Sequence, residues 1–226
     1  MELTKANLNR LRAAVLGAND GIVSTASVLM GVVGATSAGD QSVVTAGLAA
    51  LVAGALSMAV GEYVSVSSQS DAEKAFIARE KMKLKEDPSS EQESLAKHYR
   101  ELGVSQKTAE IIAKELSKKD PLQAHLQAEF QIDEDDINSP VDAGLSSMIG
   151  FTAGGMIPFL MVIIAPDNLK ISSIIVSVTV ALFLVGYFSA SAGGASRKKA
   201  IIRVVIGGLL AMGLTYGVGV LFGAHV

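Results

Sequence analysis

Two carboxylates in this 226-residue chain stand where a carboxylate is costly. Asp20 leads into Gly21–Gly39 and Glu62 follows Ser42–Gly61, and neither window contains an Asp, Glu, Lys or Arg. An acid at membrane depth needs a cavity, a partner or an ion to face. Met58 lies one helical turn from Glu62, level with Asp20 if the two segments run antiparallel. Two acids and a thioether at similar depth, with no basic residue expected beside them, suit a pathway for a divalent cation. A plainer reading stays open, in which Glu62 reaches to the interface and Asp20 caps a helix broken at Asn19-Asp20-Gly21. Met58 on an apolar face is also compatible with simple packing.

A second set of candidate ligands lies further along. His125 and Glu129 are four apart, so on a helix they share a face and form half of a metal site. His98 and Glu101 are a similar pair at three, and Glu73, Glu80, Glu86, Glu91 and Glu93 make the preceding segment acidic. The alternative for each glutamate is ordinary solvated charge. Cysteine is absent, which excludes disulfides and thiolate ligands. Carboxylate and imidazole with one thioether suit Fe²⁺ or Mn²⁺ better than Cu⁺ or structural zinc, whereas calcium and magnesium favour all-oxygen sites. Nothing in the chain suggests a catalytic residue, and no Gly-rich phosphate loop is present, which argues against an ATP-driven machine.

The elements that position these groups follow from the charge pattern. Five windows are free of charge: Gly21–Gly39, Ser42–Gly61, Ala143–Pro166, Ile171–Ser196 and Val204–Val226. Each is long enough to cross a hydrocarbon layer of roughly 30 Å. They predict an all-α membrane protein with spans at Ala13–Thr36, Val43–Val66, Gly144–Ala165, Ile171–Ala192 and Ile201–Phe222. Tight turns are expected at Ser37–Ser42 and Pro166–Lys170. Residues 71–140 hold 16 of the 22 acids and 11 of the 19 bases, and form a charged helical insert between spans two and three. The chain therefore divides into 1–70, 71–140 and 141–226.

Basic residues choose the orientation. Lys5, Arg10, Arg12, the insert and Arg197, Lys198, Lys199 and Arg203 fall on the cytosolic side if the N-terminus is inside, which leaves only Lys170 outside. The C-terminus is then outside. Within the insert, span two is expected to continue to about Glu86, where Asp87-Pro88 stops it. Ser90 with Glu93 reads as a capping box, Ser105 as the next cap, and Asp120-Pro121 as a cap followed by proline at the first helical position. Leu95, Tyr99, Leu102, Ile112, Leu116, Leu122, Leu126 and Phe130 are the expected small core. Gly17/Gly21, Gly31/Gly34, Gly150/Gly154 and Gly213/Gly217 permit close helix contacts, and a path shared by two copies is expected.

Two motifs carry a family resemblance: Asn19-Asp20-Gly21-Ile22-Val23-Ser24, and Ala53-Gly54-Ala55-Leu56-Ser57-Met58-Ala59-Val60-Gly61-Glu62-Tyr63-Val64-Ser65. With the spacing of the spans and the position of the insert, the chain resembles the vacuolar iron transporter family of proton-coupled Fe²⁺/Mn²⁺ exporters. The resemblance implies a homodimer, an ion path at the two-fold axis lined by Asp20 and Met58, and an insert that binds metal. It matches Glu129 directly, and Glu80 and Glu91 more loosely. Two departures stand out. Ala50 replaces a carboxylate that eukaryotic members bear near the start of span two, and His125-Leu126 stands where they place methionines.

These readings combine into an expected transporter of Fe²⁺ or Mn²⁺, in exchange for protons, with no permanently bound cofactor and no nucleic acid. The expected pathway is Asp20, Met58 and Glu62, and the expected metal ligands are these first two with Glu80, Glu91, Glu93, His125 and Glu129. The compact chain fits a prokaryotic plasma membrane, where lipid is its other partner. The rival is a membrane-anchored sensor or sequestering protein that binds metal and moves nothing. A ferritin-like oxidase would need Glu-x-x-His pairs, which the insert lacks.

Overall fold

A computed structural model describes residues 5–36, 41–130, 132 and 139–223, and all the regular structure among them is helical. In chain order the helices are α1 (Lys5–Ala35), α2 (Gln41–Glu86), α3 (Pro88–Glu101), α4 (Gln106–Lys119), α5 (Pro121–His125), α6 (Pro140–Ile164), α7 (Lys170–Ala192) and α8 (Arg197–Gly223). A single π-helical turn, Leu126–Phe130, prolongs α5, and a 3₁₀ turn, Asp167–Leu169, leads into α7. Five helices are long and apolar enough to cross a membrane: α1, α2, α6, α7 and α8. The expected Ser37–Ser42 turn lies largely outside the described residues.

The chain forms two compact units. One is Asn7–Val64 with Val141–Val226, and holds the apolar helices. Ile22, Leu29, Val162, Ile174, Val178 and Leu182 are buried in its main cluster. Helices α1 and α6 meet along a seam of small residues. A methyl group added at Gly17 or Gly21 would overlap the backbone carbonyl of Ser147 or Phe151, and one at Gly150 or Gly154 would overlap that of Ala14 or Ala18. Without hydrophobic drive between helices in lipid, such backbone proximity supplies the packing energy. By contrast, a methyl group added at Gly213 or Gly217 would meet no other part of the protein within 4 Å.

The other unit is built on Ser65–Pro140. Helix α2 is 46 residues long because nothing breaks it after Gly61, and its Ala-, Glu- and Lys-rich second half favours helix intrinsically. It stops at Asp87, whose carboxylate accepts the backbone N–H groups of Ser89 and Ser90 at 3.1 and 3.0 Å, with Pro88 opening α3. The cap is thus Asp87, and the expected Ser90–Glu93 box does not form. Pro88 already fixes the helical start, so Ser90 lies inside the first turn. Gly103 takes φ +93°, ending α3 in the left-handed region.

The core of this unit is built largely from small side chains, Leu95 and Ala96 of α3 with Ala113 and Ala124, flanked by Tyr99 and Leu116. Two expected core members are elsewhere. Leu102 is 67% exposed because it sits at the end of α3, and Phe130 stacks on Phe76 at 5.1 Å between ring centres.

Candidate metal centre

Asp120 caps α5 by accepting the Gln123 N–H at 3.0 Å, and Pro121 follows it, so α5 starts where sequence chemistry demands. Five residues on, His125 ends the α-helix fully buried. The π turn then begins, and its i→i+5 winding sets Glu129 beside the imidazole, with Nδ1 to Glu129 Oε1 at 3.4 Å. Glu80 projects from α2 and is 2% exposed, with Oε1 3.3 Å from the same Nδ1. The sharp α2–α3 junction brings in Glu91 from the first turn of α3. Glu80, Glu91 and His125 each offer one ligand atom, all within 4.8 Å of one another.

This spacing has a chemical meaning. Donors about 2.1 Å from one cation and about 100° apart are about 3.2 Å from each other. Glu80 Oε1 and both ring nitrogens of His125 are buried with no hydrogen-bond partner. Folded proteins pair nearly all such atoms, and a divalent cation satisfies a carboxylate and an imidazole at once.

Electrostatics agree. Burial, and then the negative charge of Glu80, hold the Glu91 carboxyl above the ordinary glutamate range, while Lys83 and His125 pull it down. Lys83 Nζ is 3.0 Å from Glu80 Oε2, and this hydrogen bond raises the lysine's own pKa. The cluster of Glu80, Glu91 and Glu129 therefore holds more acid than Lys83 balances. Lys83 was not among the sequence candidates, although its i, i+3 spacing from Glu80 signals the pair.

Not every expected ligand is here. Glu93 is exposed and borders a surface depression with Arg100 and Glu110, so it leaves the ligand set. His98 packs edge-on against Tyr99, and Glu101 lies 3.9 Å from Lys97 instead of pairing with His98.

The membrane unit arranges its acids differently. Helix α1 runs unbroken through Asn19-Asp20-Gly21, so Asp20 caps no helix end. Its Oδ1 accepts a hydrogen bond from Ser24 Oγ at 2.7 Å, and it has no basic partner among the described residues. Met58 packs beside Leu51, Ala55, Phe151 and Phe159, with Met148 and Met156. Glu62 is not unpaired, as the sequence had implied, for Arg12 Nη2 donates to its Oε1 at 2.8 Å. Helix α1 begins well before Ala13, so Arg12 is held on its helical surface at the end where Glu62 lies on α2. Arg10 likewise pairs with Asp142.

Five helices long and apolar enough to cross a membrane define a polytopic α-helical membrane protein, and its carboxylate–imidazole cluster has donor atoms close enough together to hold a metal ion. The model of the VIT family matches residues 11–220, and the chain belongs to that family. It is similar to a vacuolar iron transporter of Acanthamoeba castellanii, 43% identical over 212 residues covering 93% of this chain and 78% of that protein. Vacuolar iron transporter homolog 3 of Arabidopsis thaliana is 36% identical over 216 residues, 95% of this chain and 84% of its own. Vacuolar iron transporter homolog 5 of Oryza sativa subsp. japonica is 35% identical over 220 residues, 97% and 83% of the two chains.

Proposed function

We propose that this protein is a secondary transporter, not an enzyme, that carries Fe²⁺ and Mn²⁺ out of the cytosol in exchange for protons. The observation that carries the reading is the Glu80–Glu91–His125 cluster, whose ligand atoms lie within 4.8 Å of one another and in which Glu80 Oε1 and both ring nitrogens of His125 are buried without a hydrogen-bond partner, in a chain of the VIT family. Iron is favoured by the names of the relatives. Manganese is added because the same hard and borderline donors accept it.

In this mechanism the insert collects metal at Glu80, Glu91, His125 and Glu129. The ion then moves to Asp20 and Met58, with Glu62 near the cytosolic mouth. Protons arriving from the far side neutralise the carboxylates and release it. Cytosolic placement of the insert and N-terminus rests on the distribution of bases. The membrane is taken to be that of the cell surface; in a vacuolar membrane the direction relative to the cytosol would be the same. Two copies are taken to form the path together, since five helices enclose little space and the open Gly213/Gly217 face offers a close-packing surface.

Purified protein in liposomes tests this directly. An inward or outward Fe²⁺ or Mn²⁺ gradient should drive metal flux with protons moving the other way, so that the vesicle interior turns alkaline as metal enters and acidic as metal leaves. Saturable metal binding without flux would leave a membrane-anchored sensor or sequestering protein instead. Metal flux without a pH change would remove the proton from the mechanism.

A further inference from the structure

A groove of about 420 Å³ runs between α1, α7 and α8, distinct from the acids described above. Leu11, Leu16, Val185 and Val204 give it apolar walls, and two guanidinium groups, Arg12 and Arg203, line it. Arg203 lies six residues into α8, about 9 Å along the helix axis. The bases at Arg197, Lys198 and Lys199 precede it at the helix start. Successive crossings alternate in direction, so α1 and α8 enter from the same membrane face and the two arginines belong to its end of the groove.

Arg203 is exposed, and among the described residues no carboxylate pairs with it. The contrast with its neighbours is informative. Arg10 has Asp142, and Arg12 has Glu62 and Asn9. An arginine set one and a half turns into a membrane helix needs an anion or water. Here it stands over an apolar slot, not over a polar cavity. Asn19 and Ser189 are the other polar residues of a lining that, apart from the two arginines, is apolar.

We propose that this groove binds an anionic phospholipid, its phosphate held by Arg203 with Arg12 beside it, and one acyl chain laid along the apolar walls. Charge complementarity favours an anionic over a zwitterionic lipid. Basic pockets between membrane helices on the cytoplasmic side recognise such headgroups by the same two forces, phosphate attraction and chain burial. Arg12 would then contact both Glu62 and the lipid phosphate.

Native mass spectrometry of the full-length protein tests it, after incubation with phosphatidylglycerol or phosphatidylcholine of matched chains. One phosphatidylglycerol should be retained per chain, about fivefold more than phosphatidylcholine, given what one basic residue contributes near a membrane surface. Arg203→Gln should bring retention down to the phosphatidylcholine level. Lys198→Gln removes the same charge outside the groove and should leave retention intact. Equal retention of the two lipids, or equal loss in both variants, would overturn the proposal. Displacement by inorganic phosphate at matched concentration would make this a free-anion site and also defeat it. A dimer mass without lipid, abolished by Leu16→Arg, would assign the groove to a second copy.

Discussion

The insert and the membrane helices both use carboxylates, and they stabilise them by opposite means. In the insert, Glu80 and Glu91 are crowded around a fully buried imidazole with Glu129 against it. Lys83 pairs with Glu80, and Glu91 is pushed toward its protonated form. In the membrane unit each acid is handled singly, Glu62 by Arg12 and Asp20 by Ser24. Under the proposed function, crowding would make the stronger site, because a divalent cation relieves repulsion as well as satisfying donors. Single acids with modest partners would then make the weaker stations. A conducting path needs binding strong enough to admit an ion and weak enough to release it.

The comparison breaks most completely at Asp20. Asp20→Asn is expected to abolish Fe²⁺ and Mn²⁺ flux in proteoliposomes while leaving metal affinity of the insert unchanged, as read by calorimetry on the same protein. Retained flux would remove Asp20 from the path. The converse variant, Glu80→Gln with His125→Ala, should lower equilibrium metal affinity by about 100-fold or more, since loss of mere supporting groups already costs 10–100-fold. Its flux at saturating metal should fall far less than that of Asp20→Asn.

Acidity sharpens the contrast further. Glu91 has a raised pKa in the folded insert, so the folded state holds that proton more tightly than the unfolded chain does. Its protonation therefore favours folding, and metal-free stability should fall as pH rises from the ordinary glutamate range through the raised value. Glu91→Gln should flatten that profile in thermal melts across this window and stabilise the metal-free protein above it. Metal must displace the proton, so affinity should drop on acidification by at most about tenfold per pH unit for each proton released. The smallest effect is expected at Lys83. Lys83→Ala removes a competing cation from Glu80 and should raise metal affinity by about threefold, because the lysine end of the pair is open to solvent and so its attraction is largely screened. Unchanged or weakened binding would mean that Lys83 orients Glu80 and does not merely neutralise it.

Glu80, Glu91, His125 and Glu129, which the fold brings together, were each named from the sequence, and the points where that reading failed are instructive. His125 and Glu129 were read as one face of a short helix, and their atoms do lie 3.4 Å apart. The π turn that sets that approach has no residue signature to read. Glu91 and Glu93 were indistinguishable as letters. Two residues turn a helix by about 200°, so one of them faces Glu80 and the other faces water. Arg12 was counted as a topological charge at a helix end. That it reaches Glu62 depends on how far α1 extends and on which face it turns to α2.

What the sequence alone determined is local or compositional. Five charge-free stretches demand five crossings, because an unpaired backbone tolerates hydrocarbon only as helix. Asp87-Pro88 and Asp120-Pro121 set helix starts, because capping and ring constraint act within a few residues. Tertiary structure alone decided the partnerships. Glu80, Glu91 and His125 stand on three helices, and Arg12 meets Glu62 across 50 positions of sequence. Such meetings depend on how each helix is rotated and packed against its neighbours, and no short-range rule of spacing encodes either.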